Sequence, residues 1–579
     1  MPALMDIRVE RNVAVPMRDG TVLRADVFRP EPEGRYPVLL SRTPYDKTAS
    51  GVSYGWMQPI RPASEGYVVV VQDVRGRFAS EGTFKPFHQE IADGFDTVEW
   101  AARQPWSNGR VGMYGLSYLG ATQWLAAASQ PPNLQAIFPG VTASDYYDGW
   151  TYQGGTFILG FNLMWAHTAF ALPEVMRGDI PEAEKRDILR GIYGVAFDHW
   201  PALKHLPLAE LPSVADPRVA TYYKDWLAHP TRDDFWQAVS IEAHHPRIHT
   251  PALNLGGWYD LFIRGTLRNF SGMRSDGATD IARNGQRLVV GPWSHGTALT
   301  ARTGNRVFGA SAALLLDELH MRWFNHWLKD EANGVDRDAP VRVFTMGEDT
   351  WREYSEWPPL EAREVSYYLH GNGAANTSRG DGALSTDPPG SERPDHFVYD
   401  PLNPCPTVGG ALFPSPNDVP PGAFDQSSVE QRPDVLCYST DVLQRPMRVV
   451  GPVRARIWVQ SSAKDTDFTA KLVDVEPDGT AWNLCDGIVR ARYHAGFSSA
   501  SPLPTAPLEL EIDLAGTANL FRSGHRIRLE ISSSNFPRFD RNTNTGANIA
   551  TDAAHEVAFN SVFHDSSHPS RLVMFEVSD

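Results

Sequence analysis

Cysteine is scarce in this chain. There are three among 579 residues, Cys405, Cys437 and Cys485, and no C-x-x-C spacing. A disulfide framework and a Cys-rich zinc site are excluded, and the scarcity fits a reducing compartment. Long apolar runs are missing too. No window approaches ~18 consecutive apolar residues, so neither a transmembrane helix nor a membrane partner is expected. The N-terminus, MPALMDIRVE, reaches Asp6 without an apolar stretch, which argues against a signal peptide. These readings point to a cytoplasmic protein. No basic block occurs: 53 Lys and Arg stand against 69 Asp and Glu, a net charge of −16. An acidic chain of this kind is a poor binder of nucleic acid. The absence of a Walker A motif and of a strand-linked G-x-G-x-x-G argues against a nucleotide enzyme.

What is present describes a globular chain. Hydrophobic residues are 42% and charged residues 21%. The length allows about three to five domains at roughly 100–200 residues each. With 17 Trp, 45 Pro and 47 Gly, much loop and aromatic-rich pockets or interfaces are expected.

The pattern changes twice along the chain. Up to about Asp145, short apolar strands alternate with helices: Thr21–Phe28, Tyr36–Leu40, Tyr67–Val71, a helix over Ile91–Arg103, Val111–Tyr114, and an Ala-rich helix over Ser117–Ser129. Such alternation implies a mostly parallel α/β sheet. Residues 146–244 read as a helical insertion, with helices over Phe157–Phe170, Ile180–Tyr193 and Val219–Leu227. The α/β pattern then resumes through a helix over Ala313–Lys329. From about Val341 the period becomes 2, at Val341–Met346, Glu364–Leu369, Val449–Val459, Asp467–Val475, Leu508–Leu514 and Arg526–Ser532. That is a β-sandwich, most simply a jelly roll.

The sharpest chemical signal is Gly115-Leu-Ser117-Tyr-Leu-Gly120, directly after a strand and directly before a helix. This is the setting of a nucleophile elbow, although Gly120 stands one residue later than in the usual G-x-S-x-G. The plainer alternative for Ser117 is a helix N-cap. A nucleophilic serine needs a base and an orienter, which α/β-hydrolases supply in the order Ser, Asp or Glu, His. Asp260 follows the strand-like Leu253–Leu255 segment, and His295 follows the apolar Leu288–Val290 run. Both lie where open α/β sheets place their sites, at carboxyl ends of strands. The backbone N–H of Tyr118 would give one oxyanion donor. No HGGG-type loop is present. After the Tyr36–Leu40 strand comes Arg42-Thr-Pro-Tyr45-Asp, whose tyrosine reads by composition alone as a rim aromatic.

These words together resemble the cocaine esterase family of serine hydrolases, relatives of α-amino acid ester hydrolases and X-prolyl dipeptidyl aminopeptidases. The matching segments are Arg42–Tyr45, Gln72–Arg77, Ser80–Gly82, Gly112–Tyr118, Gly257–Asp260, Gly291–His295 and Arg432–Val435. The resemblance implies an α/β-hydrolase core over 1–145 and 245–340, a helical cap over 146–244 and a jelly-roll sandwich over 341–579. It implies Ser117 as nucleophile, Asp260 and His295 as partners, and the Tyr45 hydroxyl with the Tyr118 N–H as the oxyanion hole. No metal or cofactor is expected, and the family's habit of assembly suggests a homodimer. By the same resemblance Trp150, Trp165, Phe262, Leu412 and Phe413 would line the acyl pocket. Without it, the set reads most simply as core, and Phe262 alone has a local reason to line a site.

Relatives that hydrolyse α-amino acid esters hold the ammonium with carboxylates, some just after the triad aspartate. Here those positions are Leu261, Phe262 and Ile263, all apolar. An unpaired ammonium would be poorly solvated there. Asp145 and Asp148 are the nearest other carboxylates in sequence, and they read as capping or surface residues. A small ester with an uncharged aromatic or aliphatic acyl group is therefore the expected substrate. The rivals are an α-amino acid ester hydrolase, an X-prolyl peptidase or β-lactam acylase and, from another class, a carbohydrate-binding or scaffold protein. His244, His245 and His249 are not expected to bind metal, because Pro246 breaks the helix that would align them. Asp465 and Asp467 read as a strand-entry turn rather than a calcium site.

Overall fold

The computed structural model describes residues 5–49, 51, 57–296, 300–413 and 419–578. Its first layer is a ten-stranded sheet. β1 (Ile7–Pro16) and β2 (Val22–Pro30) form an antiparallel pair at one edge. Then come β3 (Tyr36–Thr43), β4 (Val68–Asp73), β5 (Ser107–Leu116), β6 (Leu134–Gly140), β7 (Leu253–Tyr259) and β8 (Arg287–Ser294). In space the order is β1-β2-β4-β3-β5-β6-β7-β8, and every pair from β4 to β8 is parallel. β4 is buried along its whole length. A run of four valines suits a strand covered on both faces, since β-branched side chains fill a pleated interior without polar atoms. The covering helices are α1 (Glu90–Ala102), α2 (Tyr118–Ala128), α3 (Ile263–Asp276) and α4 (Leu316–Lys329).

One boundary differs from the sequence reading. Val341–Met346 was expected to open the sandwich. Instead β9 (Val341–Thr345) extends the hydrolase sheet, in parallel register with β8 at Leu288–Val290, and carries β10 (Thr350–Tyr354) as the last antiparallel strand. Alternating burial is common to an edge strand of one sheet and the first strand of the next, so periodicity cannot separate them.

The insertion is largely helical, with one feature the sequence pattern does not reveal. It begins with a two-stranded hairpin, Tyr152–Gln153 against Thr156–Phe157. The expected Phe157–Phe170 helix is α-helical over Leu159–Met164 and becomes a π-helix over Trp165–Ala171. Such wide turns are frequent at functional sites. Helices over Glu182–Phe197 and Thr221–Ala228 follow.

The C-terminal strands form an eleven-stranded hydrogen-bonded sheet folded over one apolar core. The fifteen-residue strand Met447–Ser461 is its spine. It pairs with Leu508–Phe521 on one side, and with Arg571–Val577 and Ala558–Phe563 on the other. The sandwich is stitched to the other layers at several points. Asp540 N–H donates to Phe157 O at 2.9 Å, Gly160 N–H to Pro537 O at 3.0 Å, and the Tyr259 hydroxyl to Asn483 O at 3.0 Å.

Candidate active site

The sheet gathers the site at one end. Tyr45 lies two residues after β3, Ser117 directly after β5, Asp260 directly after β7 and His295 directly after β8. Parallel strands all point their carboxyl ends the same way, so residues far apart in sequence meet along one rim.

Ser117 has φ 55° and ψ −120°, a left-handed conformation that a serine rarely adopts. Strain of this kind costs about 1–3 kcal/mol and persists where the surroundings impose it. The surroundings here are tight. A Cβ on Gly115 would lie 2.6 Å from the Leu119 Cβ, and one on Gly120 would lie 2.9 Å from the Thr142 Cβ. Gly120 thus lets α2 sit against the end of β6, which explains a glycine at this offset. The Ser117 side chain makes no capping hydrogen bond to the helix it precedes, so the N-cap alternative finds no support.

Asp260 is fully buried and His295 is nearly so. The His295 Nδ1 lies 2.8 Å from Asp260 Oδ1. The other carboxylate oxygen has no hydrogen-bond partner among the described residues. The imidazole is accordingly the group toward which this buried carboxylate is directed. Phe262 packs edge-on to the imidazole at 5.4 Å between ring centroids, and Phe413 approaches it at 5.6 Å. Apolar rings on two sides limit water around the base.

The Tyr45 phenol interacts with the Ser117 side chain, and burial pushes its pKa well above the usual phenol range. The Trp165 indole N–H donates to the Tyr45 hydroxyl oxygen at 3.0 Å. A phenol that accepts from an indole has its own proton left to donate elsewhere. Trp165 opens the π-helix of the cap, so that wide turn presents the indole to Tyr45. Tyr118 is the first residue of α2, and its amide has no intrahelical acceptor. Its side chain points the other way: the hydroxyl donates to Glu90 Oε1 at 2.9 Å and accepts from Phe87 N–H at 2.9 Å. Glu90 in turn meets the buried Arg42 guanidinium at 2.5 Å.

The expected pocket residues divide into two groups. Leu412 and Phe413 line a cavity beside His295, together with Ile158, Phe161, Met164 and Leu261. Trp150, Trp165 and Phe262 do not line it. Trp150 stacks on Phe262 at 4.0 Å and tilts against Trp165 at 5.2 Å, and all three are at most 2% exposed. Phe161, Met164, Leu203 and Arg538 line the cavity without having been expected there. Nothing in their local sequence sets them apart from core or surface residues. Arg77 was noted only as part of a motif. It donates to Pro44 O at 2.9 Å and Ala169 O at 3.0 Å and pairs with Glu174 at 2.7 Å, which ties the Tyr45 loop to the cap.

Asp145 and Asp148 are buried rather than solvated at the surface, and Asp145 caps its own turn, its Oδ1 accepting from the Tyr147 and Asp148 N–H groups at 2.9 Å. Asp145 accepts from Arg232 at 2.6 Å and Asp148 from Arg268 at 2.9 Å. Burial opposes ionisation of Asp148, but the charges of Arg268 and Arg264 outweigh it and hold its pKa below the usual carboxylate value. In the sandwich, Asp465 is paired with Arg492 and Asp467 with Arg490, so guanidinium groups stand where a cation would have to bind. Among the described residues, no group of three or more His, Cys, Asp or Glu is arranged to hold a metal ion. No described helix is long and apolar enough to cross a membrane.

Known proteins match this arrangement over nearly its full length. Residues 19–297 match the family model of X-Pro dipeptidyl-peptidase (S15 family), and residues 333–573 match that of the X-Pro dipeptidyl-peptidase C-terminal non-catalytic domain. Cocaine esterase of Rhodococcus sp. (strain MB1 Bresler) is 42% identical over 578 residues, covering 98% of each chain. The crystal structure of an aminopeptidase from a marine sediment Thaumarchaeota archaeon aligns with a TM-score of 0.83 at 25% identity, covering 99% of this chain and 97% of that one. An α-amino acid ester hydrolase shares the fold with a TM-score of 0.79 at 24% identity and the same coverage. The chain belongs to the cocaine esterase-like family of serine hydrolases.

Proposed function

We propose that this serine ester hydrolase acts on small esters with an uncharged acyl group, through Ser117, His295 and Asp260. The observation that carries the reading is the His295–Asp260 contact at 2.8 Å on the same sheet rim as a strained Ser117. His295 takes the Ser117 proton as Oγ attacks the ester carbonyl. Asp260 holds the imidazole tautomer and stabilises the imidazolium. The oxyanion of the tetrahedral intermediate is held by the Tyr45 hydroxyl and the Tyr118 N–H. The raised pKa of Tyr45 keeps it a neutral donor. His295 then protonates the leaving alcohol. Water, deprotonated by His295, attacks the acyl-enzyme and releases the acid and free Ser117. Ser117→Ala should abolish p-nitrophenol release from short acyl esters, and undiminished turnover in that variant would sink the assignment.

The α-amino ester reading is disfavoured by a specific observation. The carboxylates at the start of the cap, Asp145 and Asp148, already neutralise Arg232 and Arg268. Leu261, Phe262 and Ile263 are apolar and buried. An ammonium would find no free counter-charge among them. Paired esters with and without a free α-amino group test this. The enzyme should turn over the amino form more slowly, by at least about tenfold in kcat/KM if the ammonium must be desolvated unpaired. A preference for the amino form would restore the rival.

A further inference from the structure

A buried ion pair stands behind the Tyr118 side chain and has no part in the triad chemistry. Arg42, in β3, is fully buried, and Glu90, the first residue of α1, is 3% exposed. The Arg42 Nη1 donates to Glu90 Oε2 at 2.5 Å, and its Nε donates to Gln72 Oε1 of β4 at 2.8 Å. The third nitrogen, Nη2, has no hydrogen-bond partner among the described residues. Stranding a buried donor costs stability. Apolar residues of similar volume often stabilise a fold as well as a buried ion pair, or better. Stability alone is therefore a poor reason for this pair.

The other carboxylate oxygen shows what the pair holds. Glu90 Oε1 accepts from the Tyr118 hydroxyl at 2.9 Å, and that hydroxyl accepts from the Phe87 N–H at 2.9 Å. The phenol is thus held through both its donor and its acceptor by the segment that opens α1. Phe87 stacks on the Tyr118 ring at 5.1 Å between centroids, and the Tyr45 ring meets it edge-on at 6.5 Å. Tyr118 is fully buried.

This anchor bears on a strained backbone. The peptide that carries the Tyr118 N–H begins at Ser117, whose φ of 55° and ψ of −120° persist only under outside restraint. On one side, the Ser117 N–H is tied to Gly140 O at 2.9 Å. On the other, Tyr118 is tied through its side chain to Glu90. A rotation of the Ser117–Tyr118 peptide that relieved the strain would turn the N–H and pull a buried phenol off its carboxylate. An oxyanion donor is effective only when it stays aimed at the place where charge develops.

We infer that Glu90, oriented by Arg42, is a positioning residue for the reaction: it holds the Tyr118 side chain so that the Tyr118 amide stays aimed into the oxyanion hole. The inference rests on the ester-hydrolase reading above. The test uses the purified full-length protein, p-nitrophenyl butyrate, and an alkyl boronic acid, which forms a tetrahedral adduct with an active serine. Tyr118→Phe keeps the ring and deletes the anchor. It should lower kcat about tenfold, part of the cost of about 10²–10³-fold for losing a donor outright. KM should stay within about twofold, because the interaction is made in the transition state. The boronic acid should bind more weakly by the factor lost in kcat/KM. Glu90→Gln alone would leave Arg42 buried without a counter-charge, so position 90 is tested in an Arg42→Met background. There Glu90→Gln keeps an acceptor for the Tyr118 hydroxyl and Glu90→Leu does not, so kcat should be higher with glutamine by about threefold or more. If Tyr118→Phe does not fold, the two position-90 variants decide the matter. A lower melting temperature with wild-type kcat and boronate affinity in Tyr118→Phe overturns the positioning role and leaves the hydrolase reading standing. A loss confined to KM, or equal kcat for the two position-90 variants, does the same. Wild-type protein that neither hydrolyses the ester nor binds the boronic acid overturns both.

Discussion

At the scale of single residues, the Tyr45 hydroxyl carries a distinct share of the proposed chemistry. It accepts from the Trp165 indole at 3.0 Å, which leaves its own proton available to another acceptor. Tyr45→Phe keeps the ring packing and removes one oxyanion donor. It should lower kcat about 10²–10³-fold with little change in KM, read by steady-state kinetics on p-nitrophenyl esters. The upward pKa of the phenol adds a pH signature. Tyr45 should stay protonated past the ordinary phenol value of about 10. Wild type and Tyr45→Phe should therefore show alkaline limbs of the same shape up to that pH. The residue itself was legible only through the resemblance of Arg42–Tyr45 to the family. A tyrosine after a strand carries no mark of its role, because the role depends on an indole 120 positions away.

At the scale of elements, the site depends on how the cap is fastened to the sheet. Arg77 is 2% exposed and lies within reach of three phenylalanine rings, including Phe84 at 5.0 Å and Phe170 at 5.1 Å. Its hydrogen bonds join the loop after β3 to the π-helix over Trp165–Ala171. Arg77→Met preserves the stem and deletes the fork. It should cost about 2–3 kcal/mol of stability through the acceptors it leaves behind, measured by urea unfolding. It should also reduce kcat more than it raises KM, because the loosened loop carries Tyr45. Arg77→Lys should recover only part of the loss, since one ammonium cannot span these partners. The elements themselves were mostly readable from periodicity. The Tyr152–Phe157 hairpin and the π-turn were not, because two-residue strands and a widened helix turn leave no period to detect.

At the scale of the whole molecule, the sandwich is part of the site as well as an appendage to it. It supplies Leu412, Phe413, Pro537 and Arg538 to the cavity. Its integrity should depend on pH through His564. The imidazole is wholly buried, with Nε2 at 2.8 Å from Asp395 and Nδ1 at 3.2 Å from Glu392. Burial disfavours its charged form, but the hydrogen bond and charge of Asp395, helped by Glu392, outweigh burial and raise its pKa. A group whose pKa is raised on folding stabilises fully below its unfolded value, about 6.5, and loses that contribution as pH rises through the folded value. The melting temperature should therefore fall as pH is raised above about 6.5. His564→Gln should melt lower than wild type at pH 6 and show a shallower dependence above it. Calorimetric scans across that interval check both statements.

The sequence by itself determined the order Ser117, Asp260, His295, the strand end before each, the helical insertion and the period-2 third of the chain. Each of these is written in neighbouring residues: a turn needs its small residues beside it, and a strand or helix shows its period over a few positions. Only the tertiary structure decided which side chains share a space. It gave β9 to the hydrolase sheet, closed Trp150 against Phe262 while leaving Leu412 and Phe413 on the cavity, neutralised Asp148 with arginines, and brought Arg538 into the cavity's lining. Those outcomes depend on contacts between residues about fifty or more positions apart, and no local pattern records them.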